Sequence, residues 1–164
     1  MEALRAGDTT RIEHIAVTDR RAMRHLLGRL WDQDSGVRRA ACIGVGAAAA
    51  AHPDVGLDVI RRLMWALNDE SATNGVYGIA ALGEIGARDP ELIEGFLGPL
   101  ASCSWDDGLR PEILKALARI ASVAPRVVAP HLAQLEAHLD PENRAEIELA
   151  AELRSLVKEQ HDTI

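Results

Sequence analysis

Three prolines constrain this chain more than any other feature. Pro53, Pro90 and Pro125 stand 37 and 35 residues apart, and each lies between two apolar stretches. Proline has no N–H to give and a fixed φ, so it suits the first turn of a helix and disrupts the interior. Three helix starts at a near-constant interval predict a chain of equivalent units.

Polar, acid-rich turns alternate with these prolines: Asp32-Gln33-Asp34-Ser35-Gly36, Asn68-Asp69-Glu70-Ser71, Trp105-Asp106-Asp107-Gly108 and Asp140-Pro141-Glu142-Asn143. Asp, Ser and Asn cap helix N-termini because their side-chain oxygens accept the first unpaired N–H groups. Each turn is followed by small residues at helical spacing, as in Ala40-Ala41-Cys42-Ile43-Gly44 and Ala80-Ala81-Leu82-Gly83-Glu84-Ile85-Gly86. Glycine inside a helix costs about 1 kcal/mol against alanine. Gly44, Gly78 and Gly83 therefore predict places where another helix comes close.

Apolar stripes complete the pattern. Leu57, Ile60, Met64 and Leu67 recur every three or four residues; Leu92, Ile93, Phe96, Leu97 and Leu100 do much the same, and Leu132, Leu135 and Leu139 repeat the pattern. No segment alternates polar and apolar residues as a strand would. With 48% hydrophobic residues but only 3% aromatic, the core must be built from Ala, Leu, Ile and Val. The expected class is all-α. Helix pairs are predicted over 18–31 with 35–51, 54–67 with 73–87, 90–103 with 108–123, and 126–138 with 142–159. They form one domain over 1–164, in units 18–51, 54–87, 90–123 and 126–159. A short helical cap is predicted over 1–16, with Ile12 and Ile15 as its contacts.

The pattern resembles HEAT repeats, helix–turn–helix units that stack into a right-handed α-solenoid. The likeness rests on the proline-led first helices, the Asp-containing turns and second helices such as Val37-Arg38-Arg39-Ala40-Ala41-Cys42-Ile43-Gly44 and Tyr77-Gly78-Ile79-Ala80-Ala81-Leu82-Gly83. Asp34, Val37, Arg38, Ala40 and Ala41 fit the common form best. The shorter HEAT-like repeats of phycocyanobilin lyases look similar. The second unit departs from the form, with Asn74-Gly75-Val76-Tyr77 where Arg is expected, and the third places Pro111 after Arg110. The resemblance implies a fold; it says almost nothing about activity.

The candidate surface follows from the turns. Asp69, Glu70, Asn74 and Tyr77 make the most polar cluster in the most irregular turn. Their structural alternative is plain N-capping. Trp31, Trp65 and Trp105 fall near the ends of first helices, so stacking would align them along one edge beside Asp32, Asp34, Asp69, Glu70, Asp106 and Asp107. Such an acidic, aromatic ridge suits a partner with a basic surface. The alternative is that the indoles staple neighbouring units together. Candidate partner contacts are Trp31, Asp34, Arg38, Trp65, Asp69, Glu70, Asn74, Tyr77, Trp105, Asp106 and Arg110.

Other chemistry has little support. Net charge is −7, from 25 acidic and 18 basic residues. A nucleic-acid binder needs a basic stripe, and the pairs Arg20-Arg21, Arg38-Arg39 and Arg61-Arg62 are each flanked by acidic or apolar residues. Cys42 and Cys103 form no CxxC, the histidines are scattered, and there is no HExxH, P-loop, GxGxxG or GxSxG. No metal or cofactor is expected. The start Met1-Glu2-Ala3-Leu4-Arg5 lacks the apolar run of a signal peptide, so a cytoplasmic protein with no membrane span is expected. The function expected is a non-enzymatic adaptor, binding protein through its second-helix surface and acidic turn rim. A homodimer through a terminal helix is a further expectation. The alternative is an accessory protein or lyase-like enzyme handling a small molecule near the turn 68–78, with Asp69, Glu70, Tyr77 and Glu84 as candidates.

Overall fold

A computed structural model of the chain describes residues 2–68 and 73–158, with the side chains of Thr73 and Asn74 excepted. The described residues contain helices and turns and no strand. The helices are α1 (Glu2–Ala6), α2 (Thr9–Thr18), α3 (Ala22–Leu27), α4 (Ser35–Ala51), α5 (Pro53–Ala66), α6 (Thr73–Arg88), α7 (Pro90–Ser102), α8 (Arg110–Ala121), α9 (Pro125–Val128), α10 (Leu132–Glu136) and α11 (Arg144–Lys158).

Two rows of helices result. In one, α2, α4, α6, α8 and α11 pack side by side in that order. In the other, α5 lies against α7, and α7 against α9 and α10. Pro53, Pro90 and Pro125 each occupy the first turn of a helix, and their three helices are neighbours in this second row. The rows close on a core of fully buried side chains, among them Ile79, Leu82 and Ile85 of α6 and Ile113, Leu117 and Ile120 of α8.

Helix α4 begins and ends where the sequence marks it. The Asp34 carboxylate accepts from the N–H groups of Gly36 (2.7 Å) and Val37 (3.3 Å), and the chain turns at His52 into Pro53. Its glycines permit close approach: a Cβ on Gly46 would stand 2.8 Å from the Glu84 carbonyl oxygen on α6. Side chains of that size could not fit without driving α4 and α6 apart.

Three expectations need correction. The helix expected over 18–31 is only α3, six residues long. It has no side-chain cap at its start, and from Gly28 onward the chain tightens into turns such as Arg29 N–H to Leu26 O (2.9 Å) and Leu30 N–H to Leu27 O (3.2 Å). The helix expected over 126–138 is broken into α9, a 3₁₀ turn at Ala129–His131, and α10. Pro130 removes one N–H from the ladder and crowds the carbonyl four residues back. The N-terminal cap is two helices, parted at Gly7 with φ of 65°, a conformation glycine adopts without steric cost. Ile12 is buried in that cap, but Ile15 is exposed.

Candidate functional site

The candidate residues can be placed in the structure one by one. The first turn is tied down locally. Asp32 accepts from the Asp34 N–H (3.1 Å) and from Arg29 (3.2 Å). The Asp34 backbone bond, then Arg29, hold the Asp32 carboxyl below its ordinary range. Arg38, one turn into α4, reaches back to the carbonyls of Asp32 (2.7 Å) and Gln33 (3.0 Å).

Arg38 also joins this turn to α6. Its guanidinium carbon stands 4.8 Å from the centroid of the Tyr77 ring on α6, within range of a cation–π contact. Tyr77 keeps an exposed face. These two residues line a shallow groove of about 340 Å³ across the faces of α4 and α6, with Ile43, Ala80 and Glu84. Glu84 is held from the far side by Arg119 of α8 (3.0 and 3.3 Å).

The end of α5 and the segment that follows α7 meet at two tryptophans. Trp65 ends α5 and is 80% exposed; Trp105 follows α7 and is 70% exposed. They line one groove of about 510 Å³ with Met64, Phe96, Pro99 and Cys103. Indoles this exposed staple nothing together, so that structural alternative does not hold for Trp65 and Trp105. Trp31, also exposed, lines a separate groove against Ala66. Beside Trp105, Asp106 accepts from the Gly108 N–H (2.8 Å) and Asp107 faces solvent.

Arg110 is not on this surface. It is 7% exposed and its guanidinium points inward to Glu146 of α11, at 3.1 and 3.2 Å. Asp69 and Glu70 lie outside the described residues, as does the side chain of Asn74.

Two polar pairs were not signalled by any motif. Arg110–Glu146 is one. The other is Ser104 with His138, whose Nδ1 lies 2.8 Å from the serine Oγ. A serine beside an imidazole is the start of a nucleophilic dyad, but Ser104 has no exposed surface at all, and substrate could not reach it. Cys42 is equally unsuited to attack, since burial pushes its thiol up to about 12 and the Glu84 charge adds to that. Among the described residues, no cluster of three or more His, Cys, Asp or Glu is placed to hold a metal ion, and no helix is long and apolar enough to cross a membrane.

Comparison of the chain with protein-family models, with curated proteins and with solved structures finds no match in any of the three. Assignment therefore rests on the geometry.

Proposed function

We propose that the chain is a right-handed α-solenoid of four HEAT-like helix pairs, acting as a non-enzymatic adaptor whose turn edge binds another protein. The pairs are α3 with α4, α5 with α6, α7 with α8, and α9–α10 with α11, and α1 and α2 cap the first. Support for the solenoid comes from the two rows, in which each helix of the second row connects to its successor in the first.

The observation that carries the binding function is the Trp65–Trp105 groove. Two indoles lie open to water beside Met64 and Phe96, in a protein with three tryptophans and one phenylalanine. Exposing scarce aromatic surface is costly unless something covers it, and tryptophan is the residue most enriched among interface hot spots. Asp106 and Asp107 flank the groove, so the fitting partner presents apolar side chains with Lys or Arg beside them. The burial of Ser104 and the raised thiol of Cys42 support a role without covalent chemistry.

The test is affinity capture from the source cell, comparing the native chain with Trp65→Ala/Trp105→Ala. The partner so found is then purified and titrated by calorimetry. The double variant should weaken binding at least tenfold while its melting curve stays in place. Undiminished binding by the double variant, or no protein that distinguishes the two baits, would sink the proposal.

A further inference from the structure

A second surface differs from the turn edge in both place and charge. Helix α5 packs directly on α7, whereas the short α3 stands off from α5 and leaves an open groove of about 930 Å³ between them. We propose that this groove docks an acidic amphipathic helix from a partner protein.

Charge gives the first argument. The chain as a whole carries −7, yet four guanidiniums converge here: Arg20, Arg21 and Arg24 from the α3 side and Arg62 from α5. Arg20 is engaged by Asp54. Arg21, Arg24 and Arg62 are exposed and make no ion pair with any described residue. The two acids on the groove are occupied: Asp58 pairs with Arg61 (3.6 Å), and Asp19 accepts from the Arg21 N–H (2.9 Å). Asp19 keeps its negative charge while accepting that bond, so the three arginines outweigh one acid and set up a local positive field that draws carboxylates.

The floor gives the second. Between the arginines, Leu27, Val55 and Ala66 are half-buried and Trp31 closes one end. At the other end sits the Arg20–Asp54 pair. From Val55 to Ala66 the α5 wall runs ~16 Å at the helical rise of 1.5 Å per residue, or about three turns. The opening thus matches a helix in length, and its apolar floor matches one apolar stripe with acidic flanks. A phosphate backbone offers the arginines charge but nothing for the floor.

The experiment pans a displayed library of random 16-residue peptides on the full chain, with counter-selection on Arg24→Glu/Arg62→Glu. Both sites are exposed, so the variant should melt as the native chain does. Arg24→Gln/Arg62→Gln, which neutralises without reversing charge, serves as a milder check. The expected winners carry apolar residues at i, i+3 or i+4, and i+7, flanked by Asp and Glu. By fluorescence polarisation their Kd should rise at least tenfold in the Glu variant, less in the Gln variant, and rise with salt. Trp65→Ala/Trp105→Ala should leave it unchanged, which separates this site from the turn edge. Basic winners, no winners, or binding indifferent to the arginines would overturn the proposal. So would a single-stranded oligothymidine that binds through Arg24 and Arg62, or a dimer in sedimentation that the Glu variant dissociates. Those two results would hand the groove to nucleic acid or to a second copy.

Discussion

Arg110 on α8 and Glu146 on α11 form a buried, two-pronged ion pair, with Nη1 at 3.2 and 3.1 Å from the two carboxylate oxygens. Each partner is otherwise satisfied. Arg110 donates to the carbonyls of Ser104 (2.7 Å) and Trp105 (3.2 Å), and Glu146 accepts from the Asp140 N–H and the Asn143 side-chain amide, both at 3.2 Å. The pair therefore fixes the third turn and the backbone that presents Trp105. Removing one partner strands a buried charge, which costs about 3–5 kcal/mol, whereas replacing both by apolar residues is far milder. Arg110→Ala should show that loss in a urea melt, and Arg110→Met with Glu146→Leu should recover most of it. A single-variant loss below about 1 kcal/mol would mean the pair is hydrated in solution.

The glycines divide into two kinds, and the division is measurable. At Gly46 a Cβ would stand 2.8–2.9 Å from the Glu84 backbone and Cβ, whereas at Gly95 nothing lies within 4 Å. Overpacking a helix contact costs ~1–3 kcal/mol, and exchanging an unhindered helical glycine for alanine returns about 0.5–1 kcal/mol. Gly46→Val should lower the melting temperature and Gly95→Ala should raise it. Equal shifts would refute the close approach of α4 to α6.

Much of the architecture was legible because its signals are local. Proline in a first turn and Asp34 at a cap announce helix boundaries within four residues of themselves, so both ends of the helix Ser35–Ala51 are legible in the sequence. The periodic leucines misled where a break interrupts a continuous stripe. Leu132, Leu135 and Leu139 keep helical spacing, but Pro130 splits the segment before them. At the site, the position of the tryptophans at helix ends could be read, but their exposure could not, because it depends on neighbours from other units. Arg110 looked like a surface residue since its partner lies 36 residues away. The arginine groove was hidden for the same reason: Arg21 and Arg62 belong to separate basic pairs, each unremarkable alone.

Trp65 and Trp105 make a prediction that needs no partner. Both are mostly exposed and lie on one groove, so truncating either removes little native packing. Surface substitutions of this sort stay within about ±0.5 kcal/mol. Trp65→Ala and Trp105→Ala should each unfold at the native urea midpoint, and the intrinsic fluorescence they remove should be the fraction most readily quenched by acrylamide. A fall of more than about 1 kcal/mol in either variant would assign the indoles to the core.

Cys42 sets an alkaline limit on stability. Burial first, and the Glu84 charge second, raise its thiol from 9.0 to about 12. In the unfolded chain the thiol ionises at its ordinary value, so above about pH 9 the unfolded state sheds a proton that the native state keeps. The contribution is fully present below that value and declines as pH rises towards 12, by at most ~1.4 kcal/mol per pH unit. Cys103 is also raised, by burial and then Asp106, but it is only half-buried. Iodoacetamide at pH 8 should accordingly label Cys103 first and reach Cys42 only on unfolding. Cys42→Ala should flatten the fall in urea midpoint between pH 9 and 11, while Cys103→Ala should leave most of it. Should the native chain alkylate Cys42 as fast as a free thiol, the α4–α6 contact that shelters it would have to open in solution.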